Sequence, residues 1–65
     1  MTLYTVSAYA AGNLISVYVI CSTLEKAIAE ADKYKAAQPA HRYRVHQRRL
    51  DGGLMDYPKT AVYSV

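Results

Sequence analysis

The sequence predicts an α+β domain of order ββαββ: a single antiparallel four-stranded sheet with one helix packed on one face. Three observations lead there. Two stretches of alternating apolar residues flank a Gly-Asn pair near the start of the chain. A stretch with three- and four-residue apolar spacing follows a helix-start signal at Ser22. An alternating, Arg-rich stretch follows Pro39. At 65 residues, 52% of them apolar, the chain fits one domain, residues 1–65, with no linker or internal repeat to divide it. One helix covers one face of such a sheet, which leaves the other face for solvent or for a binding partner.

Residues 2–9 are rich in β-branched and aromatic types, and Tyr4, Val6 and Ala8 form a more apolar parity than Thr5 and Ser7, as in a half-buried strand. Residues 14–21 repeat the pattern, with Ile15, Val17, Val19 and Cys21 on one face and Leu14, Ser16, Tyr18 and Ile20 on the other. Between them, Ala10-Ala11-Gly12-Asn13 offers Gly and Asn for the positive φ of a hairpin turn. Ser22-Thr23-Leu24-Glu25 fits a capping box, so a helix is expected over Ser22 to Ala37. Its buried stripe is Leu24, Ala27, Ile28, Ala31 and Tyr34; its solvent side carries Glu25, Lys26, Glu30, Asp32 and Lys33. A stripe made mostly of Ala implies close approach to the sheet. Pro39 ends the helix.

Residues 42–50 alternate again, with Tyr43 and Val45 opposite Arg42, Arg44, His46 and Arg48, and read as a third strand. Asp51-Gly52-Gly53 is a turn signal, Leu54 to Pro58 reads as irregular, and Lys59 to Val65 reads as a last short strand. If Val17, Val19, Tyr43 and Val45 face the helix, the open face collects Thr5, Ser7, Ser16, Tyr18, Ile20, Arg42, Arg44, His46, Arg48, Thr60 and Ser64. That is a polar face with a cationic stripe.

Charge is placed unevenly. Residues 1–40 hold three Lys and three acids, whereas residues 41–65 hold four Arg and one Lys against two Asp, which accounts for the whole net charge of +3. The Arg cluster suits phosphates or, through bidentate pairing, carboxylates; it also suits an exposed strand that must resist edge-to-edge aggregation. Seven tyrosines without Phe or Trp are the second outlier, because Tyr joins large contact area to a hydroxyl and is enriched at recognition surfaces. Tyr4, Tyr34 and Tyr43 belong to the core by parity, while Tyr18, Tyr57 and Tyr9 are the contact candidates. The partner-binding set expected from the sequence is therefore Arg42, Arg44, His46, Arg48, Arg49, Tyr18 and Tyr57.

Catalytic chemistry is not expected. Cys21 stands at a strand end beside a helix N-terminus with no His placed near it, which reads as a buried structural thiol. His41 and His46 do not share close ligand spacing, and Asp51 and Asp56 lack a third acid, so neither a metal site nor a cofactor is expected. No phosphate-binding loop, dinucleotide fingerprint, C-x-x-C or H-E-x-x-H pattern occurs. A single Cys points to a reducing compartment. The apolar-rich stretch from Met1 to Cys21 lacks the basic residues of a leader and is too polar to span a bilayer, so no membrane partner is expected. With so small a core, stability must come from good packing, a partner or self-association, which makes a homodimer a further expectation.

In size, in element order with a lone helix over Ser22 to Ala37, and in its charged, Tyr-rich sheet, the chain resembles the small accessory proteins of bacteriophages and mobile elements. Among these it most resembles type I anti-CRISPR proteins. The resemblance covers the whole chain but carries no residue motif. It implies a non-enzymatic, phage-encoded inhibitor, acting in the cytoplasm of an infected bacterial host, that binds a CRISPR-Cas surveillance complex or nuclease and blocks its target DNA binding. Many such inhibitors are acidic mimics of nucleic acid; a basic one would engage an acidic surface of the ribonucleoprotein or recruit nucleic acid. The alternative is a small basic nucleic-acid-binding protein that uses the sheet face, with Arg42, Arg44, Arg48 and Arg49 on phosphates and Tyr18 stacking on bases.

Overall fold

The computed structural model describes residues 1–51, 54–55 and 60–65. They form β1 (Thr2–Ala10), β2 (Asn13–Cys21), α1 (Leu24–Ala37), β3 (Arg42–Asp51), β4 (Leu54–Met55) and β5 (Tyr63–Ser64). The sheet runs β2-β1-β3-β4, antiparallel throughout, and β5 pairs with β3. This is the α+β architecture expected, with α1 laid across β1, β2 and β3. The fourth position differs in detail. Leu54–Met55, expected to be irregular, pairs with Leu50 and Asp51 as β4. The strand expected over Lys59 to Val65 shortens to β5, which pairs with Arg44 and Val45 further along the same edge of β3. The two short strands share an edge because β3 is long enough to offer each a separate stretch.

The β1–β2 hairpin closes with Ala10 opposite Asn13, so its two-residue loop is Ala11-Gly12 and both residues take positive φ, 53° and 81°. Positive φ at both central positions is the hairpin turn whose twist matches that of the flanking strands. Asn13 was expected to supply one of these conformations; the turn falls one residue earlier, and Ala11 occupies a region its Cβ disfavours by roughly 1–2 kcal/mol. Ala11→Asn, which creates the favoured Asn-Gly pair, is therefore expected to stabilise the protein by about 1 kcal/mol, a rise of about 4–8 °C in melting temperature for a domain of this size. Thermal unfolding followed by circular dichroism checks this; a lowered melting temperature would contradict it.

The helix cap also shifts by one residue. The chain leaving β2 stays extended through Thr23, at φ −132° and ψ 149°, and the Thr23 hydroxyl accepts the Lys26 N–H at 3.2 Å. Thr23, rather than Ser22, is thus the N-cap, and the reciprocal Glu25 contact of a capping box is replaced by a simple cap with Glu25 in the first turn, where its charge favours the helix dipole. At the other end the Gln38 N–H donates to the Tyr34 carbonyl at 2.9 Å. The Lys35 ammonium, in the last turn, donates to the carbonyls of Pro39 (3.0 Å) and His41 (2.9 Å), which fixes the path into β3.

The core is Val6 and Ala8 of β1, Ala27 and Ala31 of α1, and Tyr43 and Val45 of β3, all fully buried. Tyr4, Val19, Cys21, Leu24, Tyr34, Tyr63 and Val65 pack around it. The helix stripe is therefore Leu24, Ala27, Ala31 and Tyr34, with half-buried Ile28 beside it. Cys21 is half-buried, which corrects its reading as a buried thiol: it stands at the last position of β2, which among the described residues pairs with β1 alone. Tyr63 fastens β5 to the helix, its hydroxyl donating to the Asp32 carboxylate at 2.5 Å.

Candidate functional site

The face of the sheet turned away from α1 carries the candidate site, and strand register determines what that face contains. Across β1 and β3, Thr5 stands opposite His46, Ser7 opposite Arg44, and Tyr9 opposite Arg42. These alternate with the core pairs Val6–Val45 and Ala8–Tyr43, so all six point away from the helix. Leu3 and Arg48 extend the same face.

On β2 the alternation is interrupted twice. Register shifts occur between Val6 and Ser7 and between Ala8 and Tyr9, leaving Tyr18 and Ile15 without partners in the ladder. A bulge inserts one residue and reverses the parity of everything beyond it. Val19 and Cys21 remain on the helix side, but Val17 pairs with Ser7 and Leu14 with Tyr9, so both join Ile20 on the open face. Ser16 pairs with the core residue Ala8, and Tyr18 turns under the helix to stack on Tyr34 at 4.6 Å between ring centroids. The expected assignment of Val17 to the helix side, and of Ser16 and Tyr18 to the open side, is thereby corrected. No Gly or Pro marks either bulge. The only sequence signal is the three-residue spacing of Leu14, Val17 and Ile20, which a strict alternation obscures.

The open face is graded from one edge inward. Leu14, Val17 and Ile20 on β2 are 57%, 49% and 60% exposed. Thr5 and Ser7 of β1 form a low floor and are buried between taller neighbours. On β3 Arg42 is exposed, while Arg44 and Arg48 are half-buried. Two of these cations are held by neighbours: the Arg44 guanidinium lies over the Tyr9 ring at 4.8 Å, and Arg48 Nε donates to Thr5 Oγ1 at 3.0 Å. Fixing the guanidinium planes in this way reduces the entropy lost when they engage a partner.

The structure divides the residues expected to bind. Arg42, Arg44 and Arg48 share the open face, with His46 buried between them. Arg49 pairs with Thr2 on the opposite parity. Tyr18 stacks on Tyr34 on the helix side of the sheet while staying 39% exposed, and Tyr57 lies outside the described residues. Leu14 and Val17 are the contact candidates that the sequence reading missed.

His46 is almost fully buried, and its Nδ1 has no hydrogen-bond partner. Burial, reinforced by the Arg48 and Arg44 charges, lowers its pKa below the ordinary 6.5. His46 is therefore neutral near pH 7, and the charge of the face comes from arginine. Because the unfolded chain binds this proton more readily, the contribution to stability is fully present above pH 6.5 and is lost as the pH falls from there toward the folded-state pKa. Melting temperatures measured between about pH 7.5 and 5.5 should decline toward acid, and His46→Gln should flatten that decline. An unchanged slope in the folded variant would contradict the assignment.

Among the described residues no group of three His, Cys, Asp or Glu side chains is placed to hold a metal ion, and no helix is long and apolar enough to cross a membrane. What the fold defines is a single α+β sheet, covered by a helix on one side and presenting a mixed apolar and cationic face on the other. The chain matches no protein-family model, no curated protein and no solved structure with which it was compared.

Proposed function

We propose that this protein is a non-enzymatic binding module that docks a protein partner on the open face of its sheet. One observation carries the reading: an exposed apolar strip and a row of arginines stand on the same face, the one turned away from α1, in register across three strands. Nucleic acid alone would use the cations and leave Leu14, Val17 and Ile20 in water. A protein surface with an acidic rim beside an apolar patch would use both, the apolar contacts supplying affinity and the Arg–carboxylate pairs orientation. A CRISPR-Cas surveillance complex or nuclease in a bacterial cytoplasm is the partner proposed, on the resemblance in size and element order; the protein would act there by steric occlusion of the DNA-binding surface.

The test compares single Ala variants at Arg42, Arg44, Arg48 and Arg49 against a purified type I surveillance complex and against free duplex DNA. Binding to the complex is expected to depend mainly on one arginine of the open face, with a loss of about 2–4 kcal/mol, and to be weakened by Val17→Asp. Equal small losses on duplex DNA, a log–log salt slope of about −3.6 for four phosphates, and no effect of Val17→Asp would establish the nucleic-acid reading instead.

A further inference from the structure

We propose that β2 is a self-pairing edge, through which two copies of this chain join antiparallel into one continuous sheet. The inference is independent of the identity of any outside partner. Among the described residues β2 has β1 as its sole strand neighbour, so its second row of backbone N–H and C=O groups faces outward. Such an edge is ordinarily protected by charges, proline or bulges. Asn13–Cys21 contains no charge and no proline, and its two bulges turn away a regular strand while leaving the edge open to one with the same spacing. Five of the seven exposed large apolar side chains among the described residues also lie on this strand: Leu14, Ile15, Val17, Tyr18 and Ile20. A nine-residue edge that is apolar, uncharged and long for its domain is built to be covered.

The bulges identify the occupant. Along an ordinary strand, residues on one face recur every two positions. Here Leu14, Val17 and Ile20 share the open face at intervals of three, with one extra residue in each interval. A regular strand laid alongside would fall out of register at the first bulge. A second copy of β2, related by a two-fold axis at Val17, would not. Leu14 would meet Ile20 of the second copy, Val17 would meet Val17, and the two residues between each pair would face two residues on the other chain. The strand spacing is self-complementary, as an isologous interface requires.

Electrostatics favour the same arrangement. The protein carries +3, and stacking two open faces would bring the arginine rows together. Edge pairing gives the order β3-β1-β2-β2-β1-β3, which separates the two arginine rows by five strand spacings, about 24 Å. That distance is beyond the roughly 8 Å Debye length at physiological salt. The two-fold axis stands perpendicular to the sheet, so both helices lie on one side. The apolar strips merge on the other side into a central band flanked by two cationic rows, doubling the surface presented to a partner.

Sedimentation equilibrium on the isolated protein tests the proposal. The wild type is expected to dimerise reversibly with concentration below about 1 mM. Val17→Lys places like charges opposite each other at the two-fold axis and should weaken the dimer at least about tenfold, with an unchanged circular dichroism spectrum because Val17 is half exposed in the single chain. A second measurement places Cys at position 17 by Val17→Cys in a Cys21→Ser background. Antiparallel neighbours stand about 4.5–5.5 Å apart between Cα atoms, within disulfide reach, so mild oxidation should give a covalent dimer, while Val62→Cys in the same background should not. A wild type that remains monomeric to about 1 mM, or a Val17→Lys variant that dimerises as tightly as the wild type, overturns the proposal. Failure of Val17→Cys to cross-link faster than Val62→Cys does so as well. No outside partner is present in these assays, so their failure leaves the docking reading to its own test.

Discussion

Replacing Tyr43 by Ala is expected to leave the chain unfolded, or nearly so, at room temperature. Tyr43 is the largest side chain that is fully buried. Its ring sits 6.1 Å from Tyr34 and 6.0 Å from Tyr18, and its hydroxyl donates to the Gln38 carbonyl at 3.3 Å. One residue therefore joins the helix end, the edge strand and β3. Burial raises its phenol pKa, the nearby Tyr18 adding to the effect, so it is uncharged across the physiological range. Removing a buried aromatic ring costs about 3–5 kcal/mol in lost transfer energy and cavity formation. A chain of this length holds only about 3–10 kcal/mol in total, at ~0.05–0.15 kcal/mol per residue. Tyr43→Phe keeps the ring, gives up one hydrogen bond, and should cost about 0.5–1.5 kcal/mol. Urea titrations of the two variants check both values. A cooperative transition for Tyr43→Ala with the wild-type midpoint would mean that the stack does not hold the fold together.

The second large effect is expected at Ala31. A carboxylate placed there by Ala31→Asp enters the cluster of Val6, Ala8, Ala27, Tyr43 and Val45. No cation belongs to that cluster, so the group must remain an unpaired buried charge or take up a proton, and either outcome costs several kcal/mol. The added volume also pushes the helix off the sheet, because Ala is there to allow close approach. Ile28→Asp provides the internal contrast. Ile28 is half-buried and lies beside the packed stripe, so its new carboxylate reaches water and the domain should stay folded with a reduced melting temperature. Circular dichroism of both variants separates the cases; an unfolded Ile28→Asp beside a folded Ala31→Asp would reverse the assignment of the helix face.

Local signals in the sequence place four of the six elements and most of the core. Apolar alternation, helical spacing, Pro39 and the turn residues near Gly12 place β1, β2, α1 and β3, and parity puts Tyr4, Val6 and Ala8 with Tyr43 and Val45 under the helix, because each of those signals is local. The arginine row was legible for the same reason: β3 is regular from Arg42 to Arg48, so alternation in sequence becomes one face in space. The composition of the rest of the open face follows from strand pairing. Each bulge in β2 is a relation between two strands, one residue more on β2 than on β1, and an isolated stretch of sequence contains only one of the two. The two insertions move Val17 outward and Ser16 and Tyr18 inward, while Leu14, beyond both, returns to the open face beside Ile20, and they turn a polar face into one that is apolar at its edge. Pairing also decided that β4 and β5 share one side of β3 while β2, among the described residues, pairs with β1 alone. Which strand remains unpaired depends on all the others, and that exposed edge is where the association proposed for this protein takes place.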